Sequence, residues 1–180
     1  IYLLQNEYIN TVDTVISFLQ GQKQTLAHSI CSGNYLPESN RFNSLGDLDW
    51  AFGQMGIQDK AKHLATLYLE DISDFIIDNV DSNFGFSRYA ERISSSAHTF
   101  DEIYNSIKSE NSYIIIQTLD VLDRYIEKQQ PKIVAFTIPF PGNLFCAFKC
   151  AEFIKENYPK IKVIFGGGYV NTELRSINDT

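Results

Sequence analysis

Apolar residues recur at three- and four-residue steps through much of the first 130 positions. Tyr8, Val12, Val15, Ile16 and Leu19 follow that spacing and predict a helix that Gly21 stops. A longer stripe of Ala61, Leu64, Ala65, Tyr68, Ile72, Phe75 and Ile76 predicts a helix from about Gln58 to Asn79. Ile115, Leu119, Leu122 and Ile126 share one face of a third, from about Glu110 to Lys128, and Pro131 follows its end. Between the first two, residues 33–56 are rich in Gly, Asn, Ser and Pro but carry Tyr35, Phe42, Trp50 and Phe52. A disordered linker would be poor in aromatics, so an ordered connection is expected there.

After Pro131 the period changes. KIVAFTIPF (132–140) and IKVIF (161–165) are short, apolar and β-branched, the pattern of strands buried on both faces. Between them Asn143 can cap a helix whose inner face carries Leu144, Ala147, Phe148, Ala151 and Ile154, and Tyr158-Pro159 ends it. Strand, helix and strand with short joints make a βαβ unit, which implies parallel strands and a right-handed crossover. The expected fold is α/β: a small or incomplete Rossmann-like parallel sheet at 131–180 preceded by a mainly helical part at 1–130.

In a parallel sheet, ligands bind beyond the carboxyl ends of the strands. Two unusual loops fall at that edge, PFPGN after the first strand and GGGYVN after the second. Consecutive glycines let a ligand approach the backbone without meeting a Cβ, but they also ease a tight turn, and the residues alone favour neither reading. Phosphate chemistry is weaker, because GxGxxG fails at Asn171 and the Walker pattern is absent.

Other candidate groups point to structure. Cys146 and Cys150 lie one helical turn apart, but zinc or a cluster needs three or four ligands and Cys31 is in a different segment, so a core role is expected. Asp71, Asp74, Asp78 and Asp81 recur at helical spacing without convergent ligands from elsewhere, which reads as a solvated face. Histidines 28, 63 and 98 show no metal-ligand spacing. Asp47-Leu48-Asp49 matches the DxD of some sugar-nucleotide transferases, a triplet that is common by chance.

Charge narrows the partners. Fifteen Lys and Arg against 22 Asp and Glu leave a formal charge of -7, which argues against nucleic acid and anionic membrane surfaces. No apolar run approaches the ~20 residues that span a bilayer and no leader opens the chain, so a soluble, cytoplasmic protein is expected. The chain opens at Ile1 and closes at Thr180, and both ends look cut, as in a fragment of a longer protein.

The stretch VAFTIPFPGNLFCAFKCAEFIKENYPKIKVIFGGGYVNTELR closely resembles the amino-terminal cobalamin-binding-type domain of certain radical SAM iron–sulfur proteins, and NFGFSRYAERIS upstream resembles a motif of the same group. The resemblance is strong over 132–175, supportive near 83–94 and only general over 1–80. It implies a Rossmann-like domain that holds the cofactor's nucleotide tail at the strand ends. Thr137, Pro139, Gly142 and Asn143 would line one side, and Gly166, Gly167, Gly168 and Tyr169 the other. It also implies a separate carboxy-terminal barrel, the domain's partner, that binds a [4Fe-4S] cluster and S-adenosylmethionine. The CxxxCxxC of that barrel and the DxHxxG of some cobalamin proteins are both missing from these residues. This chain is therefore expected not to be catalytic alone. Two alternatives stand: a cofactor-free interaction domain that gates substrate access to the barrel, and a sugar-nucleotide transferase-like domain using the Gly-rich loop.

Overall fold

The computed structural model describes residues 2–45, 52–53, 56–86, 89–90, 100–109 and 111–176. Trp50, His98 and the Asp47-Leu48-Asp49 triplet lie outside them. The chain divides into two compact units, Ile1–Asp78 and Asn79–Thr180.

The first unit is helical. Helix α1 (Gln5–Leu19) ends where Gly21 takes a positive φ of 85°, as the spacing predicts. A short helix α2 (Leu26–Cys31) follows, and α3 (Ile57–Asn79) is the long helix of the unit. Tyr8, Val15 and Phe18 of α1, Ala27 and Ile30 of α2, and Ala61, Leu64, Ala65 and Tyr68 of α3 form one core. Leu36 and Phe42 join it from the Gly- and Asn-rich connection, so this part of the connection is ordered. Tyr8 stacks on Tyr68 with centroids 4.9 Å apart. The Tyr68 hydroxyl donates to the Tyr8 carbonyl at 3.0 Å, so the buried ring keeps a partner for its polar end.

The acidic row of α3 is not a solvated face. Asp71 is only 2% exposed. Its carboxylate accepts from the backbone N–H groups of Ser39 (3.1 Å) and Arg41 (2.9 Å) and from the Tyr8 hydroxyl (3.3 Å). Asp74 instead takes both arms of Arg41, at 2.6 and 2.8 Å. Asp81 is buried as well, and only Asp78 meets the expectation of exposure. The reason is that the connection folds back, and its Ser39–Arg41 turn has donors that a carboxylate must satisfy.

The second unit contains α4 (Phe100–Lys108), α5 (Tyr113–Gln129), strand β1 (Ile133–Thr137), α6 (Leu144–Asn157), strand β2 (Lys162–Gly166) and a short α7 (Gly168–Thr172). Ser112 caps α5 by accepting from the Ile115 N–H, and Gln130 closes it in the left-handed region. The strands pair in parallel, in register from Ile133↔Lys162 to Thr137↔Gly166. The chain is thus a mixed, mostly helical α/β protein with a two-stranded parallel sheet among its described residues.

One face of that sheet is covered. Val134, Phe136 and Val163 pack with Ile126 of α5 and Ile154 of α6, while Phe136 and Phe165 also join a cluster around Leu144 and Ile138. The other face is open: Ile133 is 54% and Ile164 51% exposed. The expectation of strands buried on both faces is therefore corrected. Burial alternates along β1 because the covering helices supply a single layer.

Candidate functional site

The two strands run side by side in the same direction, so the loops that leave them emerge at one edge. Thr137 and Gly166 are cross-strand partners at that edge. Beyond them, the Ile138 N–H donates to the Gly166 carbonyl at 2.7 Å, and the Ile138 carbonyl accepts from the Tyr169 N–H at 3.2 Å. Ile138 has no exposed surface. It clasps together, at that edge, the two loops that carry the eight sequence-predicted residues.

The Pro-Phe-Pro-Gly-Asn loop ends the strand because Pro139 has no N–H to continue a ladder. Pro141 then opens a 3-10 turn, Pro141–Asn143, that feeds directly into α6, and the Asn143 N–H donates to the Phe140 carbonyl at 3.1 Å. Asn143 does not cap the helix with its side chain, contrary to expectation. It already has helical backbone angles inside the turn, where its side chain cannot reach the N–H groups that follow. Thr137 and Pro139 are exposed, Asn143 is half-buried and Gly142 is buried.

The three glycines of the second loop differ in what the fold asks of them. Gly167 has a φ of 106°, and a Cβ there would lie 2.6 Å from the Ile138 carbonyl oxygen. It is required by the turn. A Cβ on Gly166 would meet nothing within 4 Å, and one on Gly168 would find only the Pro139 oxygen at 3.7 Å. Neither has a positive φ. The bare turn explanation therefore accounts for one glycine of the three.

The edge carries no charge: TIPFPGN at 137–143 and GGGY at 166–169 contain no Lys, Arg, His, Asp or Glu. A dense polyphosphate calls for cationic partners, so the edge suits a largely neutral ligand held by shape and backbone groups. Tyr169 is half-buried and packs against the cluster around Leu144, as Phe136 and Val170 also do.

The cysteines stand apart from this chemistry. Burial pushes the Cys146 and Cys150 thiols up to about 11, with the neighbouring Cys150 adding to the effect on Cys146. Among the described residues no group of three His, Cys, Asp or Glu is placed to hold a metal ion. The thiolate is the reactive form. A thiol at about 11 has roughly a hundredfold less thiolate near neutral pH than one at the ordinary value of 9.0. Labelling of both residues by iodoacetamide should accordingly be slow at neutral pH and accelerate up to about pH 11. Rapid labelling at neutral pH would contradict this burial.

Sequence reasoning missed a polar cluster in the second unit. Burial works to raise the Asp81 carboxyl, but hydrogen bonds from Ser112, Tyr89 and the Asn83 N–H outweigh it and hold the carboxyl below its usual value. The Tyr89 hydroxyl donates to Asp81 at 2.6 Å and lies 2.9 Å from the Ser112 oxygen. Because the folded value is depressed, the stabilisation is complete at neutral pH and disappears as pH falls through the folded value. On acidification from about pH 6 to about pH 3 the wild type should lose more stability than Asp81→Asn. Equal losses in parallel denaturant titrations would remove this role. The signal in the sequence was weak: three polar residues spread from 81 to 112 with no periodic relation.

No helix among the described residues is long and apolar enough to cross a membrane. Compared with protein-family models, curated proteins and solved structures, the chain matches none of them.

Proposed function

We propose that the second unit is the Rossmann-like, cobalamin-binding-type domain of a radical SAM iron–sulfur enzyme, and that it positions cofactor or substrate for a catalytic barrel. One observation carries this reading. Gly166 and Gly168 sit at the carboxyl edge of parallel strands, where open α/β sheets take their ligands, yet the fold leaves room for a Cβ at both. An unfilled Cβ position on an edge with exposed backbone is what close approach of a flat ligand needs, and the cobalamin tail carries a single phosphodiester charge rather than a polyphosphate.

The residues fit the tail of cobalamin rather than its metal. Thr137, Pro139, Gly142 and Asn143 would flank it on one side, and Gly166, Gly168 and Tyr169 on the other, with Gly167 holding the turn. The second unit has no histidine among its described residues, so no lower cobalt ligand is assigned. Bound cobalamin would supply radical or group-transfer chemistry that side chains cannot. The protein's part would be to fix its position and keep the edge neutral.

The charge-free edge disfavours the sugar-nucleotide transferase alternative. The cofactor-free interaction domain keeps one observation in its favour, the open sheet face with Ile133 and Ile164 exposed. Anaerobic reconstitution with hydroxocobalamin under reducing conditions, followed by gel filtration, separates the two. Co-elution of the corrinoid visible spectrum with the protein is expected. Protein that elutes without it would favour the interaction domain.

A further inference from the structure

A buried lysine in the second unit is only partly used by the fold. Lys149 is on α6 among the core positions Phe145, Ala147 and Ala151, and it is 5% exposed. Its Nζ donates to the Ser109 carbonyl at 3.1 Å, just past the end of α4, where carbonyls lack helical partners. A lysine ammonium has three N–H donors. This is the one hydrogen bond it makes among the described residues, so capping α4 leaves two donors uncommitted.

The acidic neighbour is already engaged. Glu152, three residues along α6, pairs with Lys108. Burial works to lower the Lys149 ammonium's pKa, and Glu152 is the main group opposing it. The Phe145 ring lies 6.0 Å from Nζ and offers only a weak attraction.

A cleft of about 360 Å³ opens beside this ammonium, near the low end of small-ligand pockets, and Asn83, Asn105, Tyr89 and Ser112 contribute to its walls. The Tyr89 and Ser112 hydroxyls are tied to Asp81 and to each other. The side-chain amides of Asn83 and Asn105 make no hydrogen bond to the described residues. One half-committed cation and two open amides line the same space.

We propose that this cleft binds a small oxyanion, a carboxylate or a phosphate monoester, with Lys149 supplying the charge and Asn83 and Asn105 the flanking donors. A buried ammonium gains most from a partner that brings negative charge and acceptors together. A metal cation would be repelled, and a neutral ligand would add nothing to the partial compensation that Glu152 and Glu156 give. The site is separate from the strand edge, so the cobalamin reading can fail without affecting it.

Isothermal titration of the whole chain with inorganic phosphate and with acetate, each against chloride at matched ionic strength, tests the proposal. Saturable binding of at least one oxyanion is expected, weakened at least tenfold by Lys149→Met. Preference for phosphate assigns an ester phosphate, and preference for acetate assigns a carboxylate. Should Lys149→Met fail to fold, Asn105→Ala is the second probe and should weaken binding severalfold. No binding beyond chloride overturns the site, as does binding that folded Lys149→Met retains. So does binding that Asn105→Ala leaves unchanged when Lys149→Met cannot be made.

Discussion

Gly167→Ala should destabilise the second unit by about 2 to 6 kcal/mol, combining backbone strain with forced overlap. The φ of 106° belongs to a region that side chains rarely adopt, and the new Cβ would stand 2.6 to 2.8 Å from the oxygen, carbon and nitrogen of Ile138. Those are backbone atoms, which cannot swing aside as a flexible side chain would. Ile138 is also the residue whose N–H and carbonyl join the two loops, so relieving the clash means breaking the clasp. Gly166→Ala and Gly168→Ala are the controls. Each should change stability by less than about 1 kcal/mol, and Gly168→Ala at the start of a helix should be neutral or stabilising. Urea titrations of the three variants check the ordering. A Gly167→Ala protein as stable as its two neighbours would remove the assignment of roles within the triplet.

Asp71→Ala should cost the first unit about 3 to 5 kcal/mol, the loss expected when several buried donors are left without their acceptor. The substitution strands two backbone N–H groups, those of Ser39 and Arg41, and the Tyr8 hydroxyl, whose proton the neighbouring Asp71 and burial both hold in place. Asp71→Asn keeps one acceptor oxygen and should cost markedly less. Asp78→Ala, at an exposed position of the same helix, should fall within about 0.5 kcal/mol of wild type. If Asp71→Ala and Asp78→Ala unfolded at the same denaturant concentration, the carboxylate would not anchor the turn.

How much of this was legible depended on whether the information was local. The βαβ unit could be read because VAFT and KVIF switch the period from helical to strand-like and because Pro139, Pro141 and Gly166–Gly168 punctuate their ends. The long helix Ile57–Asn79 could be read from its apolar stripe, of which Ala61, Leu64, Ala65 and Tyr68 are buried while Ile72, Phe75 and Ile76 are half-buried. Asp71 could not, because its burial depends on a turn thirty residues away in sequence. Charge spacing on a helix says which residues share a face, but not what folds over that face.

Lys149 shows the same limit from the other side. Helical spacing places it among core positions, while its charge argues for solvent, and the conflict resolves only when the Ser109 carbonyl arrives from another helix. Helix α4 carries only a short signal in the sequence: Ile103 and Ile107 are spaced for it, and Asp101, Glu102 and Lys108 suit its ends. The strand faces differ from the expectation for another reason. β-branched runs predict what a full parallel sheet would bury, and here a single helical layer covers one side of two strands.

We propose that Gly166 and Gly168 serve a ligand while Gly167 serves the fold. Equilibrium dialysis of hydroxocobalamin against wild type, Gly166→Ala and Gly168→Ala, read together with urea midpoints, is the decisive measurement. Near-stoichiometric binding by wild type is expected, with at least a tenfold loss in each variant at nearly unchanged stability. Absence of binding by wild type, or variants that bind as tightly as wild type, would contradict it.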